Sequence, residues 1–263
     1  MHRTSLNSYL NPGGVTRILF AHMKVIAIIP AAGLGTRMAS TSIRDKKPTA
    51  SKQFLELNGT PVLVHTIRSF ATNSEVAEIF IALRKSEIEP FRARLEREAP
   101  EIFKRNPVLL EGGENRQQSV ANALAAVSAA PDDIVLVHDA VRPFVSREII
   151  QHVIAAAKNY GAAIAAVPAV DTVKQVERTA EGAVIKSTIP REKIVMAQTP
   201  QGFRYEILKK AFEEATADGF VGTDEASLVE RSGRTVAVVM GSHRNMKITT
   251  PADLELAEFF LNR

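Results

Sequence analysis

Lys24-Val-Ile-Ala-Ile-Ile-Pro30 runs directly into Ala31-Ala-Gly33-Leu-Gly35-Thr-Arg37-Met38. A continuous apolar run with no polar alternation reads as a strand buried on both faces, the habit of parallel sheets. Further short apolar runs follow at Glu78–Leu83, Pro107–Leu110, Ile134–Val137 and Ala162–Val167. Helical patterns separate them. One starts at Pro61, one covers Ser86–Arg97, one covers Asn115–Ala129 before Pro131, and one is capped by Ser146 with Glu148 in its first turn. Strand and helix in alternation predict an α/β fold: a Rossmann-like, mostly parallel sheet with helices on both faces. Ligands of such sheets lie beyond the strands' carboxyl ends, so the loops after Pro30, Leu110, Val137 and Val167 should line one crevice.

Between Val170 and Ile189 the pattern changes. Two polar, alternating segments flank Ala180-Glu181-Gly182, which reads as a β-hairpin too polar for a central strand. It is expected to project as an arm (about 170–190) and to pair with a second subunit. Beyond it, an apolar stretch Ile194–Ala197, helices from about Tyr205 and around Asp224–Arg231, and a strand Thr235–Met240 are expected. The last helix starts at Pro251, with Thr250 as its N-cap.

The 263 residues are 45% hydrophobic, enough for a packed core, and include no cysteine. Disulfides, a thiolate nucleophile and zinc–cysteine sites are therefore excluded, and a reducing, cytoplasmic setting is expected. The net charge of +4 suits an anionic substrate. The cations are scattered and Trp is absent, which disfavours a nucleic-acid surface. No apolar run is long enough to span a bilayer. Residues 1–22 read as a tail, expected to be disordered, and one folded domain carrying the arm is expected over 23–263.

In the loop after the first strand, Gly33 and Gly35 allow backbone N–H groups to approach a phosphate, and Arg37 can fork onto its oxygens. A plain tight turn would also use two glycines. The spelling is not a Walker A loop, which needs G-x-x-x-x-G-K-[ST]. It is not a dinucleotide fingerprint either: Met38 stands where a third Gly or Ala belongs, and the second strand closes Ile81-Ala82-Leu83 without an acid. Lys52, in Lys52-Gln53-Phe54-Leu55, could meet the same phosphates or be an ordinary surface lysine.

AAGLGTRM, KQFLEL, EGGENRQQSV, VHDAVRP, VDTVKQV, AQTPQGF, GTDEASLVE and NMKITTPADLELAE occur in that order. Together, from about Met23 to Arg263, they resemble the 2-C-methyl-D-erythritol 4-phosphate cytidylyltransferase family. The resemblance implies transfer of a cytidylyl group from CTP to the acceptor phosphate, with release of pyrophosphate, a magnesium requirement met largely through the CTP phosphates, and a homodimer swapped through the arm. It implies Arg37, Lys52 and Lys247 as the catalytic cations around the triphosphate. It implies CTP contacts from Ala31, Ala32, Gly33, Gly35, Gly113, Glu114, Ser119 and Asp139. It implies acceptor contacts from Asp139, Arg142, Thr172, Arg191 and Thr223.

Each residue also has a plainer reading. Ser119 would serve on a helix surface, Arg116 as a local cap or pair, His138 as packing, Lys174 as a solvated arm residue, and Thr223 as the cap of the GTDEAS helix. The sequence departs from the family at Ser51, where Pro often precedes the lysine, and in a long segment 39–51 that contains a decoy, Lys47-Pro48. Metal ligands are not legible. Two other functions fit the same residues: cytidylyl transfer to ribitol 5-phosphate, and a non-catalytic nucleotide sensor.

Overall fold

The computed structural model describes residues 23–33, 51–180 and 182–262. The expectations for the tail 1–22, for Gly35 and Arg37, and for most of the segment 39–51 lie outside the described residues.

Strand β1 (Val25–Pro30) is buried along nearly its whole length and is an interior strand of a seven-stranded sheet. Its neighbours on one side are β4 (Val76–Leu83) and β5 (Val108–Glu111), and on the other β6 (Ile134–Val137). All these pairings are parallel. Successive side chains of β1 alternate between two cores. Val25, Ala27 and Ile29 pack with α1 (Val62–Ala71), α2 (Lys85–Glu98) and α5 (Arg147–Tyr160) through Ile67, Phe70, Leu95 and Val153. Ile26 and Ile28 pack on the other face with α4 (Arg116–Ala126), α6 (Tyr205–Ala217) and α7 (Glu225–Arg231) through Val120, Leu208, Phe212 and Val229. Each fully buried Ile or Val contributes about 1.5–3 kcal/mol. The strand's carboxyl end, where the glycine loop begins, is thereby held rigidly.

The sheet continues from β6 to β10 (Val195–Arg204), β7 (Ala162–Pro168) and β11 (Ala237–Met240). Strand β10 lies between β6 and β7 and is antiparallel to both. Only its start, near Ile194–Ala197, was expected from the sequence. The remainder, Gln198-Thr-Pro-Gln201, is polar and contains proline, yet Gln198, Thr199 and Gln201 are buried. Their side chains are satisfied internally. Gln198 Nε2 donates to the Ser242 carbonyl (2.9 Å), and Gln201 Nε2 donates to Asp224 Oδ2 (2.8 Å). Hydrogen bonding of this kind is the condition for burying polar side chains. The Thr199–Pro200 peptide is cis.

Ser146 caps α5 by accepting from Ile149 N (3.3 Å), and Thr250 caps α8 (Pro251–Leu261) by accepting from Asp253 N (3.3 Å), both as the sequence indicates. Helix α4 is shorter than expected. Asn115 is its N-cap, accepting from Gln118 N at 2.9 Å, and it ends at Ala126, where Val127 turns extended. β11 likewise starts at Ala237, two residues late. A short helix α3 (Pro100–Phe103) follows α2.

A small hairpin, β2 (Glu56–Leu57) and β3 (Thr60–Pro61), turns through Asn58 and Gly59, both at positive φ. Asn-Gly is the preferred pair for such a turn. With α8 it forms a third core of Leu57, Val62, Ile248 and Ala257, which docks the C-terminal segment beside the Lys52 turn. The projecting arm is β8 (Val173–Thr179) paired antiparallel with β9 (Gly182–Ile189), and these two strands form a sheet of their own.

Candidate active site

A cavity of about 240 Å³ opens at the carboxyl ends of β1, β5 and β6. Its walls come from four segments: Pro30–Gly33 after β1, Gly113–Ser119 after β5, Asp139–Val141 after β6, and Lys247–Thr249 before α8, with Lys52 and Gln53 closing one side. Three of these segments were expected to share a crevice. The loop after β7 does not line this cavity. The segment before α8 takes its place, because the core around Ile248 draws it in.

The loop after β5 is pressed against the loop after β1. A Cβ on Gly112 would lie 2.6 Å from the Ala32 Cβ, and one on Gly113 would lie 2.4 Å from Gln118 Cγ. Both positions therefore require glycine for close approach. Backbone hydrogen bonds tie both loops to the sheet. Ala31 N donates to the Ala82 carbonyl and Gly112 N to the Leu83 carbonyl, each at 2.7 Å. Gly33, at the cavity mouth, has no neighbour that a Cβ would meet among the described residues. Glu114 is exposed, and its backbone N–H donates to Gln118 Oε1 (3.0 Å). Ser119 is buried. Its hydroxyl donates to the Asn115 carbonyl (2.9 Å) and accepts from Gly113 N (3.1 Å). In this structure Ser119 braces the loop.

Asp139 is the electrostatic centre. Its Oδ1 accepts from Arg116 Nε (3.1 Å), and its Oδ2 accepts from Arg142 Nε (3.1 Å) and Lys247 Nζ (3.0 Å). Burial pushes this carboxyl up. The charges of Arg116, Lys247 and Arg142 outweigh burial and hold it well below the usual carboxylate range. Arg142 also donates from Nη1 to the Asn245 carbonyl (2.7 Å), which ties the β6 loop to the segment carrying Lys247. Arg116 reaches further than a local cap: its Nη1 donates to both oxygens of Glu225, at 2.7 and 2.8 Å. Burial works against the Arg116 charge, and Glu225 and Asp139 more than compensate, raising its pKa.

Lys52 sits in one turn of 3-10 helix (Lys52–Phe54) and is only 8% exposed, which is rare for lysine. Its Nζ donates to the Thr249 carbonyl (2.8 Å). Gln53 is buried and donates from Nε2 to the Ala31 carbonyl (2.6 Å), fixing the loop after β1 against the Lys52 turn. His138 is fully buried, as expected of packing. His138 Nε2 faces the Arg142 carbonyl (3.1 Å), which can only accept, so in the neutral ring Nε2 donates and Nδ1 accepts from Thr199 Oγ1 (3.1 Å), which itself accepts from Asp139 N (3.0 Å). Burial is the main cause of a His138 pKa lowered to about 4, so the ring is neutral.

Thr172 and Arg191 lie at the root of the arm, are exposed and do not line the cavity; Arg191 Nη1 donates to the Val170 carbonyl (2.7 Å). Lys174 bonds Thr188 Oγ1 across the arm (2.7 Å), as a solvated arm residue would. The cap of α7 is Asp224, not Thr223. Ser227 N donates to Asp224 Oδ1 (2.9 Å), and the exposed Thr223 lies one residue outside the helix. Gln53, Asn245, Thr199 and Glu225 were not singled out from the sequence. The signal for Gln53 was its place beside Lys52. The others become visible only through partners far away in the chain.

The geometry is that of a site for a polyanion. Three cations, Lys52, Arg116 and Lys247, line the cavity beside the glycine-containing loops after β1 and β5. Among the described residues no group of three or more acidic or histidine side chains could hold a metal ion, and no helix is long and apolar enough to cross a membrane.

The family profile described as 2-C-methyl-D-erythritol 4-phosphate cytidylyltransferase matches residues 25–263. A protein of that name from Acidobacterium capsulatum is 56% identical over 241 residues, covering 92% of this chain and 98% of that protein. One from Solibacter usitatus is 52% identical over 240 residues, covering 91% and 96%. A crystal structure of 2-C-methyl-D-erythritol 4-phosphate cytidylyltransferase from Thermus thermophilus superposes with a TM-score of 0.72 at 35% identity, covering 92% of this chain and 100% of that one.

Proposed function

This chain belongs to the 2-C-methyl-D-erythritol 4-phosphate cytidylyltransferase family, and from that premise we propose that it joins the cytidylyl group of CTP to 2-C-methyl-D-erythritol 4-phosphate, giving 4-diphosphocytidyl-2-C-methyl-D-erythritol and pyrophosphate. One observation carries the reading beyond the family: Lys52, Arg116 and Lys247 line one crevice, and Arg116, Arg142 and Lys247 pair there with an ionised Asp139.

An acceptor phosphate oxygen attacks the α-phosphorus of CTP as the bond to the bridging oxygen breaks and pyrophosphate leaves. A phosphate dianion is already a nucleophile, so no general base is needed, which agrees with a neutral, buried His138. The enzyme's work is to gather like charges and to stabilise the charge that develops. Lys52 is assigned the α-phosphate in the transition state. Lys247, together with Arg37, is assigned the β- and γ-phosphates. The cytosine edge is assigned to backbone groups of Ala31, Ala32 and Gly113 with Gly33, Glu114 and Ser119 beside them, Gly35 being implied by the family resemblance alone, and the ribose and acceptor hydroxyls to Asp139.

Magnesium fits this donor set only in one form. Among the described residues two carboxylates, Glu114 and Asp139, line the cavity, and Asp139 is already engaged by three cations, so the ion would be held mainly by the triphosphate, as is usual for this cation. When bound, it would neutralise phosphate charge.

The acceptor phosphate is assigned to Arg142 and Thr223 with Thr172 and Arg191, these last two arriving on a neighbouring subunit's arm. Support for a homodimer is the arm itself. It pairs with nothing else in the described chain, a lone hairpin is marginal in water, and Val176 and Ile185, register partners on one face, are 49% and 65% exposed. The proposed location is the cytoplasm, whose reducing conditions suit a cysteine-free chain.

The test is pyrophosphate release from CTP and magnesium with methylerythritol 4-phosphate or ribitol 5-phosphate supplied separately, beside a Lys52→Ala control. Release with the first acceptor, lost in the control, is expected. Release with ribitol phosphate alone would overturn the acceptor, and silence with both would overturn the activity.

A further inference from the structure

Arg116 occupies the first position of α4, where the helix dipole favours an anion. A cation there needs compensation, and Glu225 supplies it from a helix 109 residues away in sequence. Glu225 is itself the first residue of α7 and is 1% exposed. A fully buried glutamate is uncommon unless it is paired.

The pairing is specific in its geometry. Both Glu225 oxygens accept from the one Nη1 of Arg116, while Arg116 Nε is committed to Asp139 Oδ1. The guanidinium therefore bridges two carboxylates and cannot turn without breaking one of them. Its Nη2 is buried with no partner among the described residues, so one donor of a residue lining the cavity remains uncommitted.

The start of α7 is fastened in turn. Gln201 on β10 donates from Nε2 to Asp224 Oδ2 (2.8 Å) and accepts at Oε1 from Ala226 N (3.0 Å). Glu225 lies between these two anchored residues. The chain of contacts runs from the central sheet to Glu225, to Arg116, to Asp139 and the cavity wall.

We propose that Glu225 is a positioning residue for the nucleotide: it holds the Arg116 guanidinium, part of the cavity lining, at the one orientation in which Nε fixes the Asp139 carboxylate. Glu225 does not line the cavity, so it acts through Arg116. The inference rests on the cytidylyl-transfer reading above.

Charge pairing supports the same role. Arg116, Arg142 and Lys247 meet the carboxyls of Asp139 and Glu225 in one cluster. Burial pushes the Glu225 carboxyl up while the adjacent Arg116 charge favours its ionised form, and without Glu225 the Arg116 guanidinium is released from one side.

The experiment measures kcat and KM for CTP with methylerythritol 4-phosphate and magnesium, in wild type, Glu225→Gln, Arg116→Lys and the double variant. Glu225→Gln is expected to lower kcat/KM by about tenfold to a hundredfold, mainly through KM for CTP, because a displaced contact costs this much. A merely structural role would reduce the amount of folded enzyme, which lowers apparent kcat and leaves KM alone. The double variant is expected to lose no more than the worse single variant, since two residues in one chain of contacts are not additive. Should Glu225→Gln not fold, Glu225→Asp keeps the charge and withdraws it by one methylene; it is expected to show the same KM-weighted loss in smaller degree.

Wild-type KM in a folded Glu225 variant, or losses that add in the double variant, would overturn the positioning role while leaving the activity intact. A wild-type enzyme that releases no pyrophosphate would overturn the functional reading, and the inference with it.

Discussion

Replacing Asp139 by Asn removes the charge on which three cations converge. The side chain is 8% exposed and accepts from Arg116, Arg142 and Lys247 at 3.0–3.1 Å. A hydrogen bond to a charged group contributes about 1.5–3 kcal/mol, so the three sum to about 5–9 kcal/mol at face value. Two facts reduce that figure: the amide keeps one acceptor oxygen, and the cations are 28%, 11% and 36% exposed, so water screens what is lost. The net cost expected is about 2–4 kcal/mol, within the range for one partner of a largely buried ion pair. For a protein of this size that lowers the melting temperature by about 5–15 °C.

Thermal unfolding at several pH values checks it. The Asp139 carboxyl is depressed in the fold, so its contribution is fully present above the unfolded pKa of about 4 and is lost as pH falls below that. The gap between wild type and Asp139→Asn should be constant from about pH 5 to 8 and should close in more acid solution. Equal melting temperatures at neutral pH, or a gap that widens in acid, would refute the assignment of Asp139 as the hub.

Lys52→Ala should fold and lose about a hundredfold to a thousandfold in kcat, the usual loss for one transition-state donor, read from initial rates of pyrophosphate release. Gly112→Ala places a Cβ 2.6 Å from that of Ala32 and should cost about 1–3 kcal/mol by overpacking while raising KM for CTP, seen by melting and steady-state kinetics. His138, at about 4 when folded and about 6.5 when unfolded, should withdraw about 3 kcal/mol of stability as pH falls from about 6.5 to 4, because the unfolded chain binds its proton first; denaturant titrations of wild type and His138→Gln across that window would show it. Ile185→Glu should convert a dimer to monomers in sedimentation, and a wild-type protein that is already monomeric would rule the arm out as the interface.

The sequence carried the parallel half of the fold because buried parallel strands write themselves as uninterrupted Val, Ile and Ala, as in Val25–Ile29 and Ile134–Val137. It hid β10, since Gln198, Thr199, Pro200 and Gln201 read as loop until their partners Ser242, His138 and Asp224 are in place. The β2–β3 hairpin had a local signal, Asn58-Gly59, that went unread.

In the site, Lys52, Asp139 and Lys247 line one crevice because each stands where a strand or turn meets it, and Arg142 joins them through Asp139. Glu225 could not be found that way. An acid in a helix's first turn is ordinary complement to the dipole, and its partner Arg116 lies in another motif. Thr223 was misjudged for a related reason: Thr and Asp both cap well, and only the backbone decided for Asp224.

The central claim is that the crevice forms a bond between two phosphates. Phosphorus NMR of a reaction containing enzyme, CTP, magnesium and methylerythritol 4-phosphate tests it most directly. The account predicts a pair of mutually coupled signals from a new diphosphate diester, with pyrophosphate appearing alongside. The appearance of cytidine monophosphate and pyrophosphate with the acceptor unchanged, or no change in any signal, would contradict it.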